Sequence, residues 1–322
     1  MTRRDRLNDS LHIAVRPWPA FAALAGLALL PAIILAIDQP FYLVLATRIL
    51  IFALIATSLN LLIGFGGMVS FGHAAFVGAG AYAAAIVVRA GVELAWTAWM
   101  AAAAAGAALA LVVGAISLRT RGVYFIMITL AFAQMAYYLV LSLKTLGSDD
   151  GLTLPRRTTL GFGLQLKDDA TLYYAVLLLS AGALLLLRRL LNARLGRALQ
   201  GIRDNETRME AIGFPVYRLK LLAFVIAGAA GGLGGGLLAT LNGLVSPTLF
   251  HWTQSGLLMV MVILGGAGHL LGGVFGAALI LLTEEIFAEW TIHWPLGVGI
   301  VLLAVVLFAP AGLAGLLRRA KS

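Results

Sequence analysis

The chain has 322 residues, of which 61% are apolar and 11% charged, where an average soluble domain carries roughly 25% charged residues. That composition excludes an ordinary soluble enzyme, and the 23 Lys and Arg against 14 Asp and Glu matter for their placement along a membrane protein rather than as a nucleic-acid footprint. The absence of cysteine excludes disulfides, a thiolate metal site and a cysteine nucleophile.

Uncharged apolar runs lie near 20–37, 41–63, 68–88, 95–118, 123–143, 171–187, 221–243, 255–268, 270–289 and 295–312. They predict an all-α polytopic transmembrane bundle of about 10 spans (8–10), which at about 20 residues per crossing takes up roughly the apolar share of the chain. The first run follows Arg3, Arg4, Arg6 and Arg16 without an Ala-x-Ala exit, so it reads as an uncleaved anchor. The run 255–268 is short and 270–289 carries Glu284, Glu285 and Glu289, so each fits a re-entrant or broken helix. The expected organisation is a cytoplasmic tail over 1–19, a transmembrane domain over 20–316 and a tail over 317–322.

Between the second and third runs, Gly64, Gly66, Gly67 and Gly72 interrupt an apolar stretch that also holds Asn60, Ser70 and His73. Glycine lowers helix stability by about 1 kcal/mol relative to alanine, and unwound backbone at membrane depth survives only where protein or water satisfies it. A broken helix or tight turn beside a cavity follows, which makes Asn60, Gly64, Gly66, Gly67, Ser70 and His73 candidates for the translocation path. Close packing through small residues accounts for the glycines equally, since Gly72, Phe76 and Gly80 recur at four-residue spacing. Ser70 and His73, three apart, are expected on one helical face, with His73 either a pathway group or a neutral ring bonded to backbone. Arg48 is expected to snorkel to the outer headgroups.

Segment 144–170, with Gly147, Gly151, Pro155, Gly161 and Gly163, predicts an outside loop of turns or a short hairpin. Segment 188–220 is the long cytoplasmic loop. With the N-terminus inside and ten crossings, positive charges divide 17 inside to five outside, as the positive-inside rule requires. Trp96, Trp99, Trp252, Trp290 and Trp294 then fall at outer ends, where tryptophan is enriched. Within the long loop, Arg203 to Gly213 predicts a two-turn helix capped by Asp204, closed by Gly213 in a left-handed conformation and stopped by Pro215. Its Met209 and Ile212 are expected to rest on an apolar surface, either the ends of its own membrane helices or a partner, and Glu206 and Glu210 to meet basic groups on a partner subunit.

The cluster Gly228, Gly231, Gly232, Gly234, Gly235 and Gly236 lies inside a span, and none of the four lysines follows a glycine, so no Walker A loop exists. Gly228, Gly232 and Gly236 form two G-x-x-x-G steps for close helix contact. Neither H-E-x-x-H nor G-x-S-x-G occurs. A secondary transporter or channel stays open as an alternative, because broken helices are expected there too.

Four blocks in order carry a family resemblance. Glu210-Ala211-Ile212-Gly213 resembles the docking core of the cytoplasmic loop in binding-protein-dependent ABC permeases. The longer phrase Arg197 to Gly213, with Lys220, Ala223 and Phe224, resembles the LivM-type permeases of branched-chain amino-acid ABC importers. Leu59 to Phe76, then Gly265-Gly266-Ala267-Gly268 with Gly272-Gly273-Val274-Phe275-Gly276-Ala277, and Phe308-Ala309-Pro310-Ala311-Gly312-Leu313 are similar to the same family. Gln200 and Gly201 depart from the Ala or Ile pair more usual there. The resemblance covers most of 40–316 and implies a non-enzymatic permease subunit of a bacterial cytoplasmic (inner) membrane importer for branched-chain amino acids, or for urea and short amides. It implies a second homologous permease, two cytoplasmic ATPase subunits that use ATP and Mg, and an extracytoplasmic solute-binding protein, with membrane lipid around the chain. No metal or cofactor is expected in this chain, and no nucleic-acid partner. Arg203, Asp204, Glu206, Met209, Glu210, Ala211, Ile212 and Gly213 are then the ATPase-coupling candidates.

Overall fold

The computed structural model describes residues 25–32, 34, 39–154, 158–161, 164–166, 168–290, 293–308 and 312–319. The tail over 1–19, Pro155, Arg156, Arg157, Gly163, Lys167 and Ala309 to Ala311 lie outside the described residues, as do residues 320–322 of the C-terminal tail. Among those described, helical structure dominates: α1 (Pro40–Asn60, extended by a π-helical turn Leu61–Phe65), α2 (His73–Arg89), α3 (Ala95–Ser117), α4 (Val123–Ser142) and α5 (Asp169–Asn192) come first. Two short helices follow, α6 (Arg194–Asp204) and α7 (Glu206–Ala211). Then come α8 (Val216–Asn242), α9 (Trp252–Gly265), α10 (Gly272–Trp290), α11 (Trp294–Phe308) and α12 (Gly312–Arg319). α1 with its π turn, α3, α4, α5 and α8 are long and apolar enough to cross a membrane.

The bundle is organised around α8, which packs on α3, α2 and α1. Its glycines explain the arrangement. A Cβ at Gly232 would lie 2.9 Å from Gly106 Cα, one at Gly228 2.8 Å from the Gly106 carbonyl oxygen, and one at Gly236 2.6 Å from Ala102 Cβ. The expected G-x-x-x-G face is therefore the seam with α3. Gly235 and Gly80 bring α8 equally close to α2, so the backbones of three helices meet where no side chain intervenes. α10 packs on α1 and α9 through Gly273 against Thr57 and Gly276 against Met261. Helical residues of the first apolar run lie against α5, whose Tyr173 and Tyr174 hydroxyls donate to the Leu27 and Ala28 carbonyls at 2.7 and 3.1 Å.

The two ends of the bundle are built differently. At one end, Leu152–Thr153 pairs antiparallel with Leu244–Val245, Thr159–Gly161 pairs with Leu164–Gln165, and Thr159 N–H donates to the Glu93 carbonyl at 2.7 Å. The hairpin expected in 144–170 is thus present. At the other end lie the connections after α1, α3 and α9, together with α6 and α7, joined by ion pairs and glycine contacts. Segments that alternating crossings assign to one side gather at one end.

Three expectations need correction. α5 runs to Asn192 and α8 starts at Val216, so the connection between them is shorter than 188–220 and largely helical. Trp99 is 2% exposed and donates to Thr240 Oγ1 at 3.2 Å; it belongs to the core, while Trp96, Trp252 and Trp290 are exposed. Arg48 does not simply reach outward, because its guanidinium lies 3.8 Å from Glu284 and over the Phe52 ring.

Candidate functional site

The glycine block after α1 breaks the helix. The α-helical ladder loosens into the π turn, Gly66 and Met68 donate to the Leu61 and Leu62 carbonyls at 3.1 and 2.9 Å, and Gly67 takes φ +67°, a conformation that β-carbons disfavour. Residues 66–72 are not helical before α2 begins at His73. The first turn of α2 is fixed to two serines: the His73 ring nitrogen Nε2 lies 2.8 Å from Ser58 Oγ, and Ala74 N–H donates to Ser255 Oγ at 2.9 Å. Ser58 precedes Phe65 by seven residues and Ser255 precedes Gly265 by ten, so at 1.5 Å per residue the start of α2 lies about 10–15 Å inside the bundle from that end. The chain re-enters the interior unwound and restarts its helix there. Ser70 is consequently not on a helical face with His73; it sits in the unwound stretch, where its Oγ accepts from Gly72 N–H at 3.2 Å. Thr129 Oγ1 of α4 accepts the Phe71 N–H at 3.2 Å. Asn60, Ser70 and His73 are all fully buried. Ala74 and Val77 line a cavity of about 20 Å³ with Phe52, Ile55, Leu238 and Leu258. That is room for about one water molecule.

The short helices form a second element. α6 is amphipathic, burying Gly196, Ala198, Leu199 and Ile202. It continues through Asp204, so the cap of α7 is the next residue: Asn205 has φ −160° and ψ 100°, and its side-chain oxygen accepts Arg208 N–H at 2.9 Å. Gly213 has φ +87°, its N–H donates to the Glu210 carbonyl at 3.0 Å, and Phe214 N–H donates to the Met209 carbonyl at 3.1 Å. These two bonds make a Schellman stop, so the expected end of the helix holds while its cap moves from Asp204 to Asn205. No residue of α7 is buried, and Ile212 is 62% exposed. Met209 rests on α6, where a Cβ at Gly201 would lie 2.9 Å from its Sδ.

Charges hold α7 in place. Glu206 pairs with Lys220 Nζ at 2.6 Å and lies 3.5 Å from Arg121, whose guanidinium also reaches Glu210 at 2.9 Å. Arg121, in the short connection between α3 and α4, was not singled out in the sequence; two arginines in a tight turn carry no signal of a partner so distant along the chain. A cleft of about 160 Å³ lies beside these pairs, lined by Gly67, Met68 and Val69 of the unwound stretch and by Arg121, Glu206 and Lys220.

The two elements meet at Arg203. Its guanidinium donates to the Gly64 carbonyl, and Gly67 packs on its aliphatic stem, a Cβ there lying 3.1 Å from Arg203 Cγ. Gly268, from the turn after α9, closes the junction. Asn60 Oδ1 accepts Gly268 N–H at 3.0 Å, and Asn60 Nδ2 donates to the His269 carbonyl at 2.7 Å. The sequence placed Asn60, Gly64, Gly67 and Arg203 in two separate sets of candidates; the fold makes them one site.

The family model for the permease component of branched-chain amino acid transport systems matches residues 41–310. The chain is 29% identical over 321 residues, covering 91% of its length and 75% of the relative's, to the high-affinity branched-chain amino acid transport system permease protein LivM of Escherichia coli K12. A LivM and a LivH protein of Methanocaldococcus jannaschii, both described as probable branched-chain amino acid transport permeases, are 28% and 26% identical, each alignment covering 44% of this chain and 45% or 46% of the relative. No solved structure matches significantly. A matched segment that runs from the start of α1 past the end of α11 takes in the broken helix, the capped α7 and the glycine turn that meet at Arg203. The chain is a member of the branched-chain amino acid transport permease family.

Proposed function

We propose that the chain is a permease subunit moving branched-chain amino acids across a bacterial cytoplasmic membrane by ATP-driven alternating access. Family membership carries the transport activity. The observation that supports an external energy source is α7: a helix of six residues, capped at both ends, burying no side chain and fixed to the rest of the chain by Arg121 and Lys220. So short a helix gains little from burial in this chain and is marginal in water, and the sequence contains no Walker A loop. A surface contact from ATPase subunits at α7 gives the helix its purpose. Ile212, Glu210 and the exposed side of Glu206 form the contact face, while Met209, Ala211 and Gly213 hold its shape. The unwound stretch with Asn60, Gly64, Gly66, Gly67, Ser70 and His73 borders the path.

The same reading gives ten crossings with both termini cytoplasmic, a second homologous permease beside this one, two ATPases that use ATP and Mg, and a solute-binding protein outside. That relatives of both LivM and LivH types align with the chain supports a paired permease. A reporter fused after Gly151 then reports the outside and one fused after Arg194 the cytoplasm.

Ile212→Asp and Glu210→Lys test the reading. Both sites are exposed, and an exposed ion pair such as Arg121–Glu210 contributes about 1 kcal/mol or less, so the protein should reach the membrane normally. Each variant is expected to lose at least about tenfold in ATPase co-purification, equivalent to about 1.4 kcal/mol. Parental association and parental uptake in both variants would remove α7 as the docking element and favour a secondary transporter.

A further inference from the structure

We propose that Arg203 is a positioning residue that gives the α6–α7 pair a direct grip on both glycine-broken segments of the membrane domain. Displacement of the pair then reaches Gly64 and Gly268 in one movement. The inference rests on the transport reading above, and it assigns Arg203 an inward role instead of a place on the ATPase contact face.

Three observations carry it. Arg203 stands two residues before the Asn205 cap, and Asn205 N–H donates to the Gly201 carbonyl at 3.0 Å, so the arginine and α7 are joined without a flexible spacer. Its side chain is bedded on glycines from two distant segments: a Cβ at Gly67 would lie 3.1 Å from its Cγ, and one at Gly268 3.0 Å from its Nη1. Gly67 and Gly268 both have positive φ, +67° and +82°, so the backbone turns that make this bed are themselves built for glycine. The guanidinium donates to the Gly64 carbonyl, in the π turn that ends α1.

The chemistry of the two bonds that close the junction differs. Asn60 is fully buried and uses both ends of its amide, holding the Gly268–His269 turn against the end of α1. Arg203 is exposed along one side and makes a charge-assisted bond that water can replace. Asn60 therefore keeps the two broken segments together, and Arg203 attaches the α6–α7 pair to them. A residue serving only to satisfy an end carbonyl needs no bed on the second segment. The planar, multi-donor guanidinium suits the narrow space between Gly64 and Gly268 better than the single ammonium of lysine.

The test uses the assembled complex in proteoliposomes with Arg203→Gln and Arg203→Lys. Expected are ATPase co-purification and ATP hydrolysis within about twofold of the parent, with uptake per ATP lowered at least about fivefold in the glutamine variant and partly restored in the lysine variant. The cysteine-free chain also accepts spin labels at Thr207→Cys and Ala267→Cys, both exposed positions. The parent should give one narrow distance distribution with and without ATP, and Arg203→Gln a broadened one. An unchanged distribution together with an unchanged uptake-to-hydrolysis ratio overturns the grip. So does loss of ATPase association with the distribution unchanged, which would make Arg203 a docking contact. A parent complex that hydrolyses ATP without uptake contradicts the transport reading instead, and the label distances still decide the grip.

Discussion

Two glycine-rich stretches of similar length behave in opposite ways. Gly228 to Gly236 carries six glycines inside a 27-residue helix that never breaks, whereas Gly64 to Gly72 carries four and ends one helix before the next begins. Each glycine in a helix costs about 1 kcal/mol relative to alanine, so the six in α8 require an offset. They obtain it from close contacts with Gly106, Gly80, Ala102 and Val77 and, at Gly231 and Gly234, with the His73 and Ile55 side chains, made where a side chain would collide. In the first stretch the freed backbone groups have polar partners instead: the Arg203 guanidinium on the Gly64 carbonyl, Thr129 on Phe71 N–H, Ser70 on Gly72 N–H and Ser255 on Ala74 N–H. Glycine content permits a break inside a membrane domain, and the polar side chains brought by other segments decide whether it happens.

The largest effect expected from breaking this contrast is at Gly232. Leucine there would overlap the backbone of α3 at Ala102 and Gly106 and should destabilise by about 3 kcal/mol. It is read as loss of folded protein from membranes and a lower unfolding temperature in detergent. Normal accumulation of Gly232→Leu would mean that the α8 seam is not a close contact. Gly67→Val is next. At φ +67° a β-branched residue should cost about 1–3 kcal/mol, and because the site borders Arg203 the variant should lose uptake well beyond its loss of folded protein. If uptake and accumulation fall in proportion, the unwound stretch is only a structural turn. The smallest effect is a gain. Gly182 lies in α5 with nothing within 4 Å of a Cβ and no positive φ, so Gly182→Ala should stabilise by about 0.5–1 kcal/mol. A destabilised Gly182→Ala would point to a neighbouring subunit packed on that face of α5.

Much of this was legible in the sequence because it depends on local pattern. Apolar runs located the helices to within a few residues, the Gly64–Gly72 spacing marked the break, and Gly213 before Phe214-Pro215 marked a left-handed stop. The errors arose where a neighbour in space or along the chain overrode the local signal. Asp204 and Asn205 are both good capping residues, and the choice fell to Asn205 because the apolar face of α6, with Leu199 and Ile202, carries that helix through Asp204. Ser70 shares helical spacing with His73, but the unwound stretch places it before the helix. Glu206 and Glu210 found their basic partners within the chain, in Arg121 and Lys220, a pairing between segments that no spacing rule links. Arg203 looked like one more charge of a solvated loop until the turn holding Gly268 was brought beside it.

The most direct measurement of the central claim is uptake by the complete complex in proteoliposomes. The solute-binding protein and labelled leucine, isoleucine or valine are supplied on the face holding the 144–170 loop, and nucleotide on the face holding α7. Accumulation is expected to require ATP on the α7 side, to be absent with ADP, and to be abolished by Glu210→Lys. Accumulation driven by an ion gradient without ATP, at a rate that Glu210→Lys leaves unchanged, would contradict the claim.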